Sequence, residues 1–247
     1  MAIQRSAAEY GDRHAAVYDR IYGSRFRPDA AVAALAAAAG GGRILELGLG
    51  TGRLAIPLVE RGVPVDGIEA SPAMITRLRA RPGGTAVGVF EVDLDGFSLP
   101  TSNYSVAVCA VSTLFMLPSP QAQARCVSAA ARHLGPRGML FIEAFRPDPT
   151  RFGSTGRRTE QRPTTDATGH EVRSVHDPHA QTVRITHLLR TATDEQTYEV
   201  TLTYATESQL DAMATAAGLH LVNRWHDWTG APARKSSTDP ISIYRSP

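Results

Sequence analysis

In this chain of 247 residues the segment Glu46-Leu47-Gly48-Leu49-Gly50-Thr51-Gly52 carries the most legible chemistry. Glycines at alternate positions let a backbone turn tightly and approach a ligand with no Cβ in the way. A dinucleotide fingerprint reads G-x-G-x-x-G and seats a pyrophosphate on a helix N-terminus. Here the third glycine comes one residue early, and Glu46 stands just ahead of the loop. A carboxylate there would repel a pyrophosphate but can accept a hydrogen bond from an ammonium group. Glu69 ends the next predicted strand, where an acid can take both hydroxyls of a ribose. The ligand so described has a ribose and a cationic tail, and no phosphate.

Histidine is the natural general base near neutral pH, with an ordinary pKa of about 6.5. Of the eight histidines, His176 and His187 fall on the apolar faces of adjacent predicted strands, toward one pocket. These are the two candidate catalytic residues, although a hydrogen-bonded sheet histidine is the plainer reading of each. His133 ends a helix, where the dipole explains it. His226, between Trp225 and Trp228 and near Asp227, could line an aromatic acceptor pocket, but sheet-edge packing explains it more simply. Arg157, Arg158 and Arg162 read as a solvated loop. Cys109 is a small core residue, and with Cys126 it makes neither a disulfide scaffold nor a metal cluster. No metal is expected.

The elements that must position these residues alternate. The first forty residues look helical, with Tyr10, Val17, Ile21 and Tyr22 near helical spacing. The alanine run 30–39 follows Pro28-Asp29 and stops at Gly40, the expected punctuation of a helix. Strands are predicted at Arg43–Leu47, Val63–Ile68, Ala86–Val92, Val106–Val111 and Met139–Ile142. Between them, Ser71-Pro72 opens one helix and Gln121–Leu134 forms another. Pro57 is tolerable only near the first turn of its helix. Near-continuous apolar strands alternating with helices mean a parallel sheet covered on both faces.

After Phe145 the pattern changes. Residues 146–170 are polar and read as a long loop. Period-2 segments follow around Val172–His176, Val183–Leu189 and Tyr198–Tyr204, an antiparallel meander. Thr206 and Gln209 make a capping box for the helix Glu207–Ala217. Strands near Leu219–Trp225 and Ile241–Tyr244 complete the main sheet.

Composition narrows the function. With 26 Lys+Arg against 24 Asp+Glu, the charge is too balanced for a nucleic-acid binder relying on a basic field. A single lysine, Lys235, stands among the basic residues, which reads as coding bias. The longest apolar stretch, 30–39, is far short of the roughly 20 residues a membrane span needs. No apolar signal core opens the sequence, so the expected location is the cytoplasm.

Taken together, E-L-G-L-G-T-G-R-L (46–54), Gly67-Ile68-Glu69-Ala70-Ser71-Pro72-Ala73-Met74-Ile75, Val92-Asp93-Leu94 and the stretch from Tyr204-Ala205-Thr206-Glu207 to Ala217-Gly218-Leu219 form a pattern. It resembles the class I S-adenosylmethionine-dependent methyltransferases over nearly the full length. Within them the chain is most similar to small-molecule enzymes of natural-product and amino-sugar pathways, some of them in antibiotic biosynthesis. The resemblance implies an α/β fold with a Rossmann-like, seven-stranded, mostly parallel sheet and helices on both faces. An antiparallel cap at 146–204 would follow the fifth strand. Residues 1–42 would be a helical lid, with 43–145 and 205–247 the cofactor-binding domain.

The resemblance also implies roles. Glu46 with Gly48, Leu49, Gly50 and Gly52 would line the methionine moiety of S-adenosylmethionine. Glu69 would bind the ribose, with Ala70 and Met74 near it. Asp93 would meet the adenine amino group and Leu94 would flank the ring. Tyr18 or Tyr22 would close over the cofactor. Many relatives have Asp where the fourth strand begins; Asn103-Tyr104-Ser105 stands here, which leaves the floor of the acceptor site undefined.

The implied reaction is in-line methyl transfer to a small-molecule acceptor, by a monomer or homodimer, with S-adenosylhomocysteine as product. It is driven by proximity and orientation, and a hydroxyl or amine acceptor suits it better than carbon. An alternative keeps the cofactor but catalyses a non-methylating cyclisation, rearrangement or intramolecular displacement. A macromolecular acceptor is disfavoured because Ser112-Thr113-Leu114-Phe115 stands where an Asn-Pro-Pro-Tyr-like segment would be. A non-enzymatic protein with an eroded fold is disfavoured by the intact glycine loop.

Overall fold

The computed structural model describes residues 7–19, 28–152, 155–162, 169–190 and 193–247. Short apolar runs build its centre: β1 (Ile44–Leu47), β2 (Val65–Ile68), β3 (Gly88–Phe90), β4 (Tyr104–Cys109) and β5 (Leu134–Glu143). All five run parallel. β10 (His220–Trp225) and β11 (Ile241–Arg245) extend the edge through an antiparallel β11–β5 ladder. The order is β10-β11-β5-β4-β1-β2-β3, the seven-stranded sheet expected. It reverses direction between β1 and β4, and ligands of such sheets bind at the strand C-termini beside that point.

Helices cover both faces. On one, α2 (Asp29–Ala39) and α3 (Ala55–Glu60) pack Leu35 and Leu58 against Ile44, Val106 and Phe141, with Leu78 of α4 (Pro72–Ala80). On the other, α5 (Pro120–His133) and α6 (Glu207–Ala216) pack Cys126 and Leu210 against Leu45, Ala107 and Ile142. The punctuation works as expected. Ser71 Oγ accepts from the Met74 amide to cap α4, Gly40 ends α2 at φ 55°, and Thr206 with Gln209 closes the capping box of α6. Pro57 lies in the first turn of α3.

A second, antiparallel sheet follows the order β6-β7-β8-β9, from β6 (Arg157–Arg162), β7 (Gly169–Asp177), β8 (Thr182–Arg190) and β9 (Glu195–Thr203). β6 corrects the expectation of a loop across 146–170. An edge strand is held by its backbone ladder, and its charged side chains give no apolar period to read. The fourth strand also departs from expectation: it starts at Tyr104 and ends at Cys109, so Val111 lies beyond it.

Of the helical N-terminus, α1 (Ala7–His14) and α2 are seen; Ile21 and Tyr22 lie outside the described residues. No described helix is long and apolar enough to cross a membrane.

Candidate active site

The glycine loop leaves β1 at the sheet's C-terminal edge. Gly48, Gly50 and Gly52 all have positive φ, 81°, 55° and 83°. The Gly48 and Leu49 amides donate to the Ile68 carbonyl at 3.0 and 2.9 Å, which ties the loop to β2. Gly48 and Gly50 line a cleft together with Ile68, Glu69, Ala70, Met74 and Leu94. The other two loop candidates face inward: Leu49 is buried in the core, and a Cβ on Gly52 would lie 2.3 Å from Leu78 Cδ1. Those two pack the loop against the sheet.

Glu69 holds the rim of this cleft. Its Oε2 accepts from the Gly50 amide at 2.7 Å and its Oε1 from the Ser71 amide at 2.9 Å. Burial pushes its carboxyl up; the Ser71, Gly50 and Ala70 amides pull it down. Each oxygen keeps a second lone pair for a ligand hydroxyl.

Glu46 sits in β1 just ahead of the loop, 5% exposed and outside the cleft lining, and its Oε2 has no hydrogen-bond partner among the described residues. Burial pushes this carboxyl up to about 8, against the pull of the Arg53 guanidinium and the Ala55 amide. A buried carboxylate oxygen with nothing to accept from is costly unless a ligand supplies a donor. An ammonium group is the donor that fits it, so the residues present suit a cationic, ribose-bearing ligand.

The N-terminal segment is pinned over the cleft at two points. Asp12 accepts from Ser71 Oγ at 2.6 Å, and Asp19 from Thr51 Oγ1 at 2.7 Å. These bonds bring Tyr10 and Tyr18 to the cleft wall.

Beside the cleft lies a chamber of about 340 Å³, within the range of small-molecule sites. Its roof is one face of the antiparallel sheet, where the ladder aligns Arg158, Ser174, Ile185 and Val200 on one rung and His176, Val183 and Leu202 on the next. Both candidate histidines line this chamber. His176 Nε2 is 2.8 Å from the Tyr204 hydroxyl, and His187 Nδ1 is 3.0 Å from His170 Nε2. The sheet therefore makes both of them hydrogen-bonded core histidines and chamber walls at once. Tyr10, Tyr18, Thr113 and Met116 border cleft and chamber alike, so the two spaces meet there.

Other candidates sit elsewhere. Asp93 is exposed, outside the cleft lining, and its Oδ1 accepts from the Asp95 amide at 2.8 Å. His133 accepts from the Leu99 amide and bonds the Ala129 carbonyl, a structural role. His226 bonds Ser237 Oγ, while Trp225 and Trp228 pack on Phe141. Arg158 pairs with Glu160 in the chamber wall rather than in a solvated loop. Burial pushes the Cys109 thiol up to about 12, which removes it as a nucleophile. Tyr104 is fully buried and donates to Asp66 at 2.8 Å. It begins β4, at the strand end away from the cleft, so the departure at 103–105 does not touch the acceptor floor. Sequence reasoning missed Thr113, Met116 and Glu143, although Glu143 ends an apolar strand much as Glu69 does.

Comparison with known proteins identifies the family and the fold. Residues 44–138 match a family model described as a methyltransferase domain. The CcbJ methyltransferase from Streptomyces caelestis is 34% identical, covers 98% of this chain and 99% of its own, and superposes with a TM-score of 0.88. The cypemycin N-terminal methyltransferase of a Streptomyces species is 25% identical over 207 residues, 82% of each chain. The fold is shared with S-adenosylmethionine-bound CalS10, an amino pentose methyltransferase from Micromonospora echinaspora, at 23% identity and a TM-score of 0.74. That match covers 94% of this chain and 97% of CalS10.

Proposed function

The chain belongs to the S-adenosylmethionine-dependent methyltransferases, and on that premise we propose that it methylates an oxygen or nitrogen atom of a small specialised metabolite. The observation that carries this reading is the wall of Tyr10, Tyr18, Thr113 and Met116, common to a cofactor-like cleft and the neighbouring chamber. An acceptor in the chamber can meet a cofactor in the cleft only across it. CcbJ and the cypemycin enzyme are methyltransferases by name, which favours methyl transfer over cyclisation or rearrangement.

The cofactor, when bound, supplies an electrophilic methyl group on a sulfonium and leaves as S-adenosylhomocysteine. The chain's own residues bind and align. Glu69 accepts from the ribose hydroxyls while the Gly50 and Ser71 amides fix its carboxylate. Glu46 receives the ammonium on its orphaned oxygen. Gly48 and Gly50 admit the methionine moiety, with Leu49 and Gly52 seating the loop on the core. Ala70 and Met74 flank the ribose and Leu94 flanks the adenine; Asp93, which the resemblance assigns to the adenine amino group, lies outside the cleft lining. Tyr18, with Tyr10, closes the cleft against water; Tyr22, the other candidate, lies outside the described residues. Of the expected lid, residues 7–19 would cover the cleft while α2 packs on the main sheet, and 146–204 would serve as the acceptor cap.

A base is required only if the acceptor keeps its proton at neutral pH, as a hydroxyl does. His187 and His176, which line the chamber, would take that proton. Alignment supplies most of the acceleration, since effective molarities from orientation alone reach about 10⁵–10⁸ M.

The test is incubation with S-adenosylmethionine and a panel of small amines, amino sugars and phenols. S-adenosylhomocysteine should appear mole for mole with a methylated compound. A panel member transformed with no S-adenosylhomocysteine formed would overturn methyl transfer.

A further inference from the structure

Val111 and Ser112, separated from the end of β4 by one residue, both adopt left-handed backbone conformations, at φ 52° and 59°. A β-branched residue is strained there because its Cβ crowds the neighbouring carbonyl. Such a pair persists only where its surroundings over-determine it. Glu143, at the C-terminal end of β5, supplies two of the restraints. Its Oε2 accepts from the Val111 amide at 2.8 Å, and its backbone carbonyl accepts from the Ser112 amide at 2.9 Å. The Trp228 indole donates to Oε1 at 2.8 Å and steadies the carboxylate; Trp228 is itself stacked on Phe141.

The turn determines where the next residues go. A 3₁₀ turn, Thr113–Met116, starts from Ser112, and Thr113 and Met116 line the cofactor cleft. Thr113 presses so close to Gly48 that a Cβ on that glycine would lie 2.3 Å from Thr113 Cγ2. If Val111 relaxed to negative φ, this wall would swing away from the glycine loop. Glu143 itself stands in the acceptor chamber, not in the cleft.

From this geometry we infer that Glu143 is a positioning residue for the cofactor. Acting from the acceptor side, its carboxylate holds the Val111–Ser112 turn and so sets Thr113 and Met116 against the cleft. The inference rests on the S-adenosylmethionine reading of that cleft.

Glu143→Gln keeps the shape but offers one acceptor oxygen to two donors. The experiment is calorimetric titration with S-adenosylmethionine of wild type, Glu143→Gln, and Glu143→Gln combined with Val111→Gly, with melting curves to establish folding. Glu143→Gln should bind at least tenfold more weakly. Adding Val111→Gly should recover most of that loss, because glycine adopts the left-handed conformation unaided. Unchanged affinity in Glu143→Gln, or a loss that Val111→Gly leaves in place, overturns the inference. Should Glu143→Gln fail to fold, Trp228→Phe removes only the indole restraint and should weaken binding two- to fivefold, again recovered by Val111→Gly; no weakening overturns the inference. A wild type that does not bind sinks the reading of the cleft, whereas a binding wild type with an indifferent Glu143→Gln sinks this inference alone.

Discussion

The Gly50 amide donates a 2.7 Å hydrogen bond to Glu69 Oε2, so the loop after β1 and the acid after β2 are joined before any ligand arrives. The carboxylate that would bind a ribose is thereby fixed by the loop that would receive the methionine moiety. Preorganisation of this kind lowers the ordering cost of binding.

Glu46 gives a pH signature. Its folded-state carboxyl stands at about 8, above the ordinary value of about 4.3. The folded state therefore holds this proton more tightly than the unfolded chain does. The associated stability is fully present below about pH 4.3 and is lost as pH rises through about 8. Glu46→Gln carries no such proton. Relative to wild type without cofactor, it should gain on the order of a few kcal/mol between about pH 5 and 9, and it should bind S-adenosylmethionine more weakly. Chemical denaturation of both proteins across that range checks it; parallel pH curves would remove the orphaned carboxyl from the account.

The chamber histidines should affect chemistry and not cofactor binding. His187→Ala and His176→Ala are expected to keep the S-adenosylmethionine Kd within about twofold. With a hydroxyl acceptor, loss of a general base should lower kcat by about 10²–10⁴. With an amine that is already deprotonated, turnover should fall far less. Equal losses on both acceptor types would mean that these rings only hold the sheet.

Two glycines separate strain from contact. Gly40 has φ 55° and open space for 4 Å around the point where a Cβ would sit, whereas Gly48 has φ 81° and Thr113 in the way. Gly40→Ala should cost about 1–2 kcal/mol of stability from the left-handed conformation alone, with binding intact. Gly48→Ala should in addition weaken S-adenosylmethionine binding more than tenfold. Titration and melting of the two variants decide it.

Tyr104 anchors the buried end of β4. Its hydroxyl donates to Asp66 Oδ2 at 2.8 Å, beside the Arg43 guanidinium at 3.0 Å. Tyr104→Phe should cost about 1.5–3 kcal/mol, the range for a hydrogen bond to a charged group, and leave cofactor affinity unchanged. A drop in affinity would mean that this end of the strand communicates with the cleft.

Residues with strong local signals were legible in the sequence. The loop glycines, the Ser71 cap, the Thr206–Gln209 box and the apolar strands all carry their reasons within a few positions. β6 was not legible, because an edge strand of arginines and polar residues is specified by its neighbour's backbone. The turn at Val111–Ser112 was hidden for a related reason: Val111 extends an apolar run, and the residues bonded to the turn, Glu143 and Phe145, are distant in sequence. The wall shared by Tyr10, Tyr18, Thr113 and Met116 joins two distant segments, which no spacing rule reveals. Glu46 and Glu69 were legible as acids flanking glycines, but the missing partner of Glu46 Oε2 is a property of three dimensions.

The central claim is that the cleft lined by Gly48, Gly50 and Glu69 holds S-adenosylmethionine, and calorimetric titration of wild type and Glu69→Ala with S-adenosylmethionine and S-adenosylhomocysteine tests it most directly. The account predicts micromolar binding of both ligands to wild type. In Glu69→Ala it predicts a loss of roughly 10–100-fold, the effect of removing hydrogen bonds to a charged carboxylate. A folded wild type that binds neither ligand, or a Glu69→Ala variant that binds as well as wild type, would contradict it.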